Sequence, residues 1–413
     1  MLSGPATRRG VLVALVFEYL LCGLGIVLFC CALTFLVEII AGAFELLRSD
    51  RDKPELPLRR ARLAVLVPAH NESKGILPTI RDILSQLSVG DRLLVIADNC
   101  SDDTASVAAD AGAEVVRRND PTRIGKGYAI DFGICNLRES PPEVLVIIDA
   151  DCRIAEGTLS VLSQQCVRSD RPVQSLYLMF RPAGTLSIHY QLAEFAWRIK
   201  NWGRPLGLSA LGLPCQLMGT GMAFPWNVIE SAELASGSIV EDMKLGLDLA
   251  VSGKAALFCP AALVTSEFPS SQAAAQQQRR RWEHGHIGLI RTAPALLWLG
   301  ATRRNIELVA LALDLAIPPL VLLGVMLMTI TIISAGSVLF GFTPKATLIA
   351  AAGLMVYLTA LVISWWRWGR DLLTLRSLGQ LAPYALARLK SYARLISRGA
   401  TAEWIRTERD EKP

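Results

Sequence analysis

The sequence predicts an α/β domain with a mostly parallel sheet, flanked by membrane-spanning and interfacial helices. Short apolar segments alternate with helical patterns between residues 63 and 148, which is typical of parallel strands joined by helices. Long apolar segments lie near both ends of the chain. With 413 residues, 52% of them hydrophobic, and a mean hydropathy of +0.38, the chain is too apolar for an ordinary soluble protein.

The first apolar segment, Val11 to Ala43, is interrupted only by Glu18 and Glu38. Because one span needs roughly 20 apolar residues, this segment predicts a single transmembrane anchor within residues 1–47. A cleaved signal peptide is the alternative, but its apolar region would have about 7–15 residues followed by a small-residue cleavage site. The length of the segment favours a retained anchor.

Two further spans are predicted within residues 301–369, from Ile306 to Ala335 and from Ala346 to Trp366. The short connection between them contains Gly and Ser and a single charge, Lys345. The sequence therefore predicts three spans in total, with a large polar stretch between the first and the second.

Basic residues predict the orientation of these spans. They follow the first span at Arg48, Arg51, Lys53, Arg59, Arg60 and Arg62, and they recur in a basic amphipathic tail at residues 370–413. The positive-inside rule places both flanks, and the domain at 48–300, in the cytoplasm, with the N-terminus outside. Arg8 and Arg9 argue the other way but are outnumbered.

The cysteine content indicates the redox compartment of the protein, and the distribution of charge indicates its class of binding partner. The nine cysteines are odd in number and form no CxxC pair, which indicates free thiols in a reducing compartment. The net charge is +5, and the basic residues cluster beside apolar segments. This pattern favours anionic membrane lipids as partners and argues against nucleic acid.

Four strands are predicted in the polar stretch, and the first is expected to stop at Pro68. They are Leu63 to Val67, Leu93 to Ala97, Ala113 to Arg117 and Val144 to Ile148. Ligands of such sheets bind at the carboxyl ends of the strands. Acidic side chains at Asp98 and Asp149 follow two of these ends.

Asp149 and Asp151 flank a single alanine directly after an apolar strand. Two carboxylates projecting together can hold a hard divalent cation, and such a cation bridges diphosphate oxygens. A solvated turn at the end of a strand is the alternative interpretation. Motifs further along the chain, in a fixed order, favour the metal site, with Mg²⁺ or Mn²⁺ as the cofactor.

Glu241 and Asp242 precede a predicted helix with apolar residues at alternate positions. They could serve only to stabilise the helix N-terminus, where negative charge is favourable. A carboxylate in this position is also suited to take a proton from an acceptor hydroxyl. We predict Asp242 as the catalytic base and Glu241 as the residue that orients it or the acceptor.

A Q-x-x-R-W pattern places Gln278, Arg281 and Trp282 on one side of a helix. An Arg can bind a leaving diphosphate with fixed donor geometry, and an indole ring can stack on a sugar. The alternative is an interfacial helix whose basic residues meet lipid phosphates. Lys126, between two glycines, lacks the spacing of a P-loop but is a candidate phosphate contact.

Residues 184–226 are rich in aromatics and glycine. This composition suits an acceptor channel, and equally an amphipathic helix packed on the membrane. In the first interpretation Trp202 and Gly221 join Trp282 as acceptor-binding residues.

These motifs, with Val67-Pro68-Ala69-His70-Asn71-Glu72 at the start of the domain, resemble the family 2 glycosyltransferases. The resemblance runs from Leu63 to Trp282 and is greatest for the membrane-bound, processive branch of hyaluronan, chitin and cellulose synthases and exopolysaccharide glycosyltransferases. His70 stands where the family commonly has tyrosine, and Ala97-Asp98 stands where many relatives have two aspartates.

The resemblance implies a GT-A fold and an inverting, metal-dependent hexosyltransferase. It implies nucleoside contacts from Pro68, Ala69, His70, Glu72 and Asp98, and a cation at Asp151 with Asp149 nearby. It also implies that Asp242 is the base and that Gln278, Arg281 and Trp282 contact the diphosphate and the acceptor.

We therefore expect a bacterial inner-membrane enzyme that moves a sugar from a nucleotide-diphosphate donor, expected to be UDP-linked, to a growing glycan or lipid-linked acceptor in extracellular polysaccharide assembly. Other assembly or export proteins are candidate partners. Three spans are few to enclose a polymer channel, so single addition to a polyprenyl-diphosphate-linked sugar is the alternative. A catalytically silent assembly scaffold is a third interpretation, which the joint presence of Asp149, Asp151, Asp242 and Arg281 disfavours.

Overall fold

The structure is a computed structural model that describes residues 5–48, 61–185, 187–234, 240–374 and 379. The strands in this part of the chain are β1 Leu63–Ala69, β2 Arg92–Asp98, β3 Glu114–Arg118, β4 Val144–Ile147, β5 Arg153–Ile154, β6 Val173–Phe180, β7 Met222–Pro225 and β8 Leu257–Glu267.

Helices connect these strands, and further helices come before the first strand and after the last strand in the chain. They are α1 Pro5–Arg48, α2 Ile76–Leu84, α3 Thr104–Asp110, α4 Lys126–Leu137, α5 Thr158–Ser169, α6 Ile188–Arg198, a π-helix Ile199–Gly203, α7 Arg204–Ala210, α8 Trp226–Ile229, α9 Glu241–Val251, α10 Gln272–Ile290, α11 Ala293–Thr302, α12 Ile306–Ala316, α13 Leu320–Val338 and α14 Lys345–Trp368.

All eight strands form one mixed sheet in the order β3-β2-β1-β4-β7-β6-β8-β5. The four strands predicted from the sequence, β1 to β4, are adjacent and parallel, as expected. The later strands add antiparallel pairs at β4–β7, β6–β7 and β5–β8, and one more parallel pair at β6–β8. The domain is therefore α/β with a mixed, mostly parallel sheet.

Pro68 does not stop the first strand, which is a correction to the sequence-based expectation. β1 continues to Ala69, and Pro68 pairs with Ile96 of β2. Pairing with β4 ends at Leu66. Proline cannot donate a backbone hydrogen bond, but at position 68 the strand pairs only with β2. Proline is therefore tolerated there.

Both faces of the sheet are covered by helices. Alternate residues of β1 point to opposite faces: Leu63 and Val65 pack with Ile80 of α2, whereas Leu66 packs with Ile134 of α4. The strands are buried along most of their length, as expected for a parallel sheet between two helical layers. This core holds the strand ends, and the motifs that follow them, in fixed positions.

Within the described residues, three helices are long and apolar enough to cross a membrane, at Leu12–Leu46 of α1, in α13 and in α14. The predicted single span from Ile306 to Ala335 is wrong, because the chain breaks between α12 and α13. Ile317 has an extended conformation (φ −71°, ψ 112°), as expected for a residue that precedes a proline. Pro318 and Pro319 then lie between the two helices, and of the predicted segment α13 alone has the length of a span.

The apolar helices and the α/β domain share one cluster of buried side chains. Phe35 and Ile39 of α1 pack with Leu206 of α7 and Leu178 of β6 in this cluster. The α12 helix, predicted as part of a span, packs instead against α9 and α10 of the domain. The structure therefore joins the first candidate span directly to the domain.

Two predicted features lie outside the described residues. These are the basic segment at Arg51, Lys53, Arg59 and Arg60 and almost all of the tail at residues 370–413. The orientation that they predict, with the domain at 48–300 in the cytoplasm, stays a prediction.

Candidate active site

A cleft of about 310 Å³ opens at the carboxyl ends of β1, β2 and β4. It collects side chains from nine separate stretches of the sequence, between Pro68 and Trp282. The predicted site residues that line it are Pro68, Ala69, His70, Glu72, Asp98, Lys126, Asp149, Asp151, Glu241, Asp242, Gln278, Arg281 and Trp282. The strand-end location agrees with where ligands bind to open α/β sheets.

The acidic turn after β4 is held from two sides. The buried Thr79 hydroxyl of α2 donates to the carbonyl oxygens of Ala150 at 2.8 Å and Cys152 at 2.7 Å. The Asp149 backbone N–H donates to the Thr220 hydroxyl at 3.0 Å. These contacts fix the backbone of the turn, so the two carboxylates project into the cleft from a rigid support.

Asp149 and Asp151 meet the basic requirement of a cation site. One ligand atom each of Asp149, Asp151 and Cys152 lie within 4.8 Å of one another, and both carboxylates are half-buried. Hard divalent cations prefer oxygen ligands, so the pair of carboxylates fits Mg²⁺ or Mn²⁺. Burial raises the pKa of the Cys152 thiol well above its ordinary value.

Lys126 at the start of α4 is the central cation of the cleft. Its ammonium forms an ion pair with Asp149 and donates to the Gly219 carbonyl oxygen at 2.7 Å. Burial alone would lower the pKa of Lys126, but the charges of Asp149 and Glu241 outweigh it and raise the pKa. Lys126 therefore stays charged and links the acidic turn to the acidic pair on α9.

Glu241 and Asp242 form the first turn of α9. Burial, followed by the charge of Asp242, raises the pKa of Glu241 to about 7. Burial also raises the pKa of Asp242, while Lys126 and Lys200 oppose that rise. Two adjacent carboxylates that titrate together can take up a proton near neutral pH, as a general base requires.

The opposite end of the cleft carries Asp98 and His70. Asp98 is buried and accepts from the Arg118 guanidinium at 2.6 Å. The His70 Nδ1 lies 2.7 Å from the Asp98 carbonyl oxygen. The parallel pairing of β1 with β2 brings these residues together, although 28 positions separate them in sequence.

The α10 helix closes the cleft over Glu241 and Asp242. Gln278 is buried, and Arg281 and Trp282 are half-buried on the same side. A Cβ at Gly285 would lie 2.6 Å from Val240, so glycine permits the close approach of α10 to the residue before Glu241. The Trp282 ring packs against Trp197 at a tilt of 40°, with 5.0 Å between the ring centroids, and the two indoles form an aromatic wall.

Two predicted acceptor residues lie elsewhere. Trp202 packs in the cluster shared with the apolar helices. Gly221 lies within the sheet, where its N–H donates to Ile147 and its carbonyl accepts from Ser175. Its φ of +66°, and the clash that a Cβ would make with Ser175, explain the glycine. Neither placement supports their predicted role in acceptor binding.

Sequence reasoning missed several cleft residues, among them Lys200 and Asn201 of the π-helix, Gly219 and Tyr177. Lys200 has no local motif around it. Gly219, the carbonyl of which binds Lys126, begins the run Gly219-Thr220-Gly221. Both glycines have positive φ values, +89° and +66°. Their close spacing in the sequence is the signal that could have indicated a tight turn beside the site.

Residues 61–285 match the model of the family described as glycosyltransferase like family 2. This match covers more than half of the chain, and the chain belongs to this family. With the sheet described above, membership confirms a family 2 glycosyltransferase and a GT-A-like α/β domain flanked by long apolar helices.

Curated relatives match parts of the chain. A 4,4'-diaponeurosporenoate glycosyltransferase of Staphylococcus haemolyticus is 30% identical over 139 residues, which cover 32% of this chain and 36% of the relative. A probable glycosyltransferase, YdaM, of Bacillus subtilis is 25% identical over 246 residues, 56% of each chain. The chain thus spans about a third to a half of these relatives.

Solved structures with a similar course of the chain include a mannosyltransferase of Pyrobaculum calidifontis in complex with GDP-Man and Mn²⁺. It has a TM-score of 0.48 and 16% identity, and the alignment covers 82% of this chain and 99% of that one. Glucosyl-3-phosphoglycerate synthase of Mycobacterium tuberculosis, solved with Mn²⁺, UDP and phosphoglyceric acid, has a TM-score of 0.38, 19% identity and coverage of 57% and 84%.

Proposed function

We propose that this protein is an inverting, metal-dependent glycosyltransferase of a bacterial inner membrane. It transfers a sugar from a nucleotide-diphosphate donor, a UDP-sugar in the first instance, to a growing glycan or lipid-linked acceptor in extracellular polysaccharide assembly. One observation carries the proposal: the acidic turn, the acidic pair on α9 and the Q-x-x-R-W residues line one cleft.

The donor binds along the strand ends. Pro68, Ala69, His70, Glu72 and Asp98 contact the nucleoside, as the family pattern implies, and all five line the cleft. Asp149 and Asp151 would hold a Mg²⁺ or Mn²⁺ ion, and that ion would supply Lewis-acid stabilisation of the diphosphate.

Cationic donors beside the acidic turn bind the diphosphate. Lys126 lies next to Asp149, while Gln278 and Arg281 face the cleft from α10. Preorganised cations favour the charge that develops on a leaving diphosphate.

Asp242 is the base for the acceptor. Its carboxylate takes the hydroxyl proton while the acceptor oxygen forms a bond to the anomeric carbon. The bond from that carbon to the diphosphate breaks, and its electron pair leaves with the nucleoside diphosphate. Attack from the face opposite the leaving group inverts the anomeric carbon. Glu241 shares the proton equilibrium of Asp242, and Trp282 offers a stacking surface to the acceptor sugar.

Repeated addition and single addition are both compatible with this site. The Q-x-x-R-W pattern, with Gln278 buried in the cleft wall, favours repeated addition. The three candidate spans in the described part of the chain favour single addition to a polyprenyl-diphosphate-linked sugar, because three helices are few to enclose a polymer. A silent assembly scaffold is the remaining alternative, and a charged, preorganised cleft argues against it.

The test uses detergent-purified protein and a panel of UDP- and GDP-sugars, with Mn²⁺ or Mg²⁺. We expect one donor to give nucleoside diphosphate release that requires the cation and is lost in Asp151→Asn. Asp110→Asn, an exposed carboxylate at the end of α3, is the matched control. Release by Asp151→Asn at the wild-type rate would contradict the metal site, and the product length distribution separates one-sugar from repeated addition.

A further inference from the structure

The π-helix Ile199–Gly203 forms the cleft wall that adjoins the candidate membrane helices. Lys200 and Asn201 line the cleft. On its other side, Ile199 packs in the cluster shared with α1 and α14, and a Cβ at Gly203 would lie 3.2 Å from Ile39 and 3.4 Å from Trp368. One helical turn therefore contacts both the cleft and two candidate spans.

Lys200 presents its ammonium to the cleft. The side chain is exposed, and its Nζ lies 5.8 Å from the ring centroid of Trp197. Trp197 in turn packs against Trp282. Among the described residues the ammonium has this aromatic neighbour but no carboxylate at ion-pair distance, unlike Lys126, which is paired with Asp149.

Lys200 has both acidic and basic neighbours. Asp242, Asp314 and Glu283 are its acidic neighbours, and Arg204 is its basic neighbour. The protein groups that surround the ammonium displace part of its water and lower the pKa of Lys200, although the charge of Asp242 opposes this change, and the residue remains accessible to solvent. An anionic group that reaches the ammonium would gain a charge-assisted hydrogen bond.

Arg204, the first residue of α7, fixes this wall to two other helices. Its Nε donates to Glu38 of α1 at 2.8 Å, and its Nη2 donates to Asp314 of α12 at 2.5 Å and to the Asp314 carbonyl at 2.8 Å. All three side chains are buried. Because losing one member would leave uncompensated buried charge, the contact is hard to open.

Glycines bring the backbones of α1 and α7 into direct contact. A Cβ at Gly207 would overlap the Glu38 carbonyl oxygen, and a Cβ at Gly42 would lie 2.5 Å from the Gly203 carbonyl. Small residues permit this closeness. The first apolar helix therefore sets the position of the π-helix, and with it the position of Lys200.

We propose that Lys200 binds the phosphate of a lipid-linked acceptor, whose apolar chain lies along the helices that hold the π-helix in place. The acceptor hydroxyl then reaches Asp242 while the phosphate rests at Lys200, farther from the acidic turn. This inference rests on the proposed function and names its acceptor class. A lysine suits the site because it binds phosphate as a point charge.

The first test measures occupancy of the site without any sugar transfer. Purified protein is treated with an amine-reactive ester, and acylation of each lysine is followed by mass spectrometry. The probes are polyprenyl phosphate, polyprenol without phosphate, and inorganic phosphate. We expect polyprenyl phosphate to slow acylation of Lys200 about 10-fold, with no effect at Lys254, which is exposed and paired with Asp170.

Each other outcome overturns a part of the proposal. Equal protection by polyprenol would show that phosphate is not recognised. Equal protection by inorganic phosphate at the same concentration would show that the site takes a soluble phosphate and not a lipid. Absence of protection by all three probes would show that Lys200 does not bind a phosphate group.

Variants then test the charge. Lys200→Met should weaken polyprenyl phosphate binding by about 10-fold to 100-fold, Lys200→Arg should retain most of it, and Lys254→Met should change nothing. Because binding is measured in the absence of donor, this result is independent of donor turnover. A protein that binds polyprenyl phosphate but releases no nucleoside diphosphate would refute the proposed function alone.

Discussion

At the scale of single residues, the cleft is a set of charges that hold one another in place. Asp149, Lys126 and Glu241 form a chain of alternating sign from the acidic turn to α9. Lys126 keeps its charge because the carboxylates around it outweigh the cost of burial. The acidic pair is thereby poised to exchange a proton close to neutral pH.

This pair predicts an acidic limit to activity. A base acts only when it is deprotonated, so turnover should fall as the pH drops through the ionisation of the pair, near pH 7 for Glu241. Glu241→Gln removes a negative charge beside Asp242, which should lower the pKa of Asp242 and move the acidic limb of kcat to lower pH. The measurement is kcat of the wild type and of Glu241→Gln between about pH 5 and about pH 9, a range that brackets the expected ionisation of the pair.

The control for this profile is Asp248→Asn on the same helix. Asp248 is exposed and paired with Lys244, and its replacement should leave the limb unchanged. An acidic limb that stays in place in Glu241→Gln would show that the two carboxylates do not share their titration.

At the scale of elements, sequence patterns predict those strands and helices that have a local signal, and they miss those that depend on packing against distant segments. β1, β2 and β4 contain apolar runs of ordinary length, and β3 has a shorter one at its centre. The alternation of these runs with helices predicted the parallel half of the sheet. β5 has only two residues, Arg153–Ile154, and β7 is Met222–Pro225. Such short strands are defined by their partners and not by a local pattern.

The same reasoning explains the two errors and the omission. High hydropathy continues across Pro318, so composition suggested one span where the backbone in fact breaks. Pro68 was given too much weight as a strand terminator. Arg204, which directly follows the π-helix, forms ion pairs with α1 and α12 and so helps to hold Lys200 at the cleft. Such contacts between distant segments cannot be predicted from local sequence patterns.

The close packing of α10 gives a prediction at this scale. Gly285→Ala should push α10 away from Val240, where the added Cβ would lie at 2.6 Å. We expect kcat to fall and the free energy of unfolding to drop by about 1–3 kcal/mol, the usual cost of overpacking. Denaturant unfolding and steady-state kinetics measure both effects.

Gly288→Ala is the matched control for this substitution. It lies on the same helix with nothing within 4 Å of the added Cβ, so the gain in helix propensity should keep stability unchanged or raise it. Equal loss of activity in both variants would refute the role of the Gly285 contact.

At the scale of the whole molecule, the α/β domain and the apolar helices form one structure with shared buried side chains. α1 contacts α7 and the π-helix as well as α14. This arrangement places the π-helix wall of the cleft next to the candidate spans. It is the arrangement that the proposed membrane-held acceptor requires.

Orientation in the membrane is testable with a native cysteine. Cys135 of α4 is exposed on the α/β domain. If the domain faces the cytoplasm, a membrane-impermeant maleimide should label Cys135 in inside-out vesicles and not in intact cells. Cys135→Ser identifies the labelled site. Labelling in intact cells would reverse the predicted topology.

The central claim is that Asp242 is the base of a sugar transfer in this cleft. The most direct measurement compares wild type, Asp242→Asn and Asp248→Asn with the donor found in the panel, using donor affinity and turnover as separate readouts. We predict that Asp242→Asn binds the donor as the wild type does while kcat falls by about 100-fold or more, and that Asp248→Asn matches the wild type in both. Turnover by Asp242→Asn within a few-fold of wild type would contradict the account.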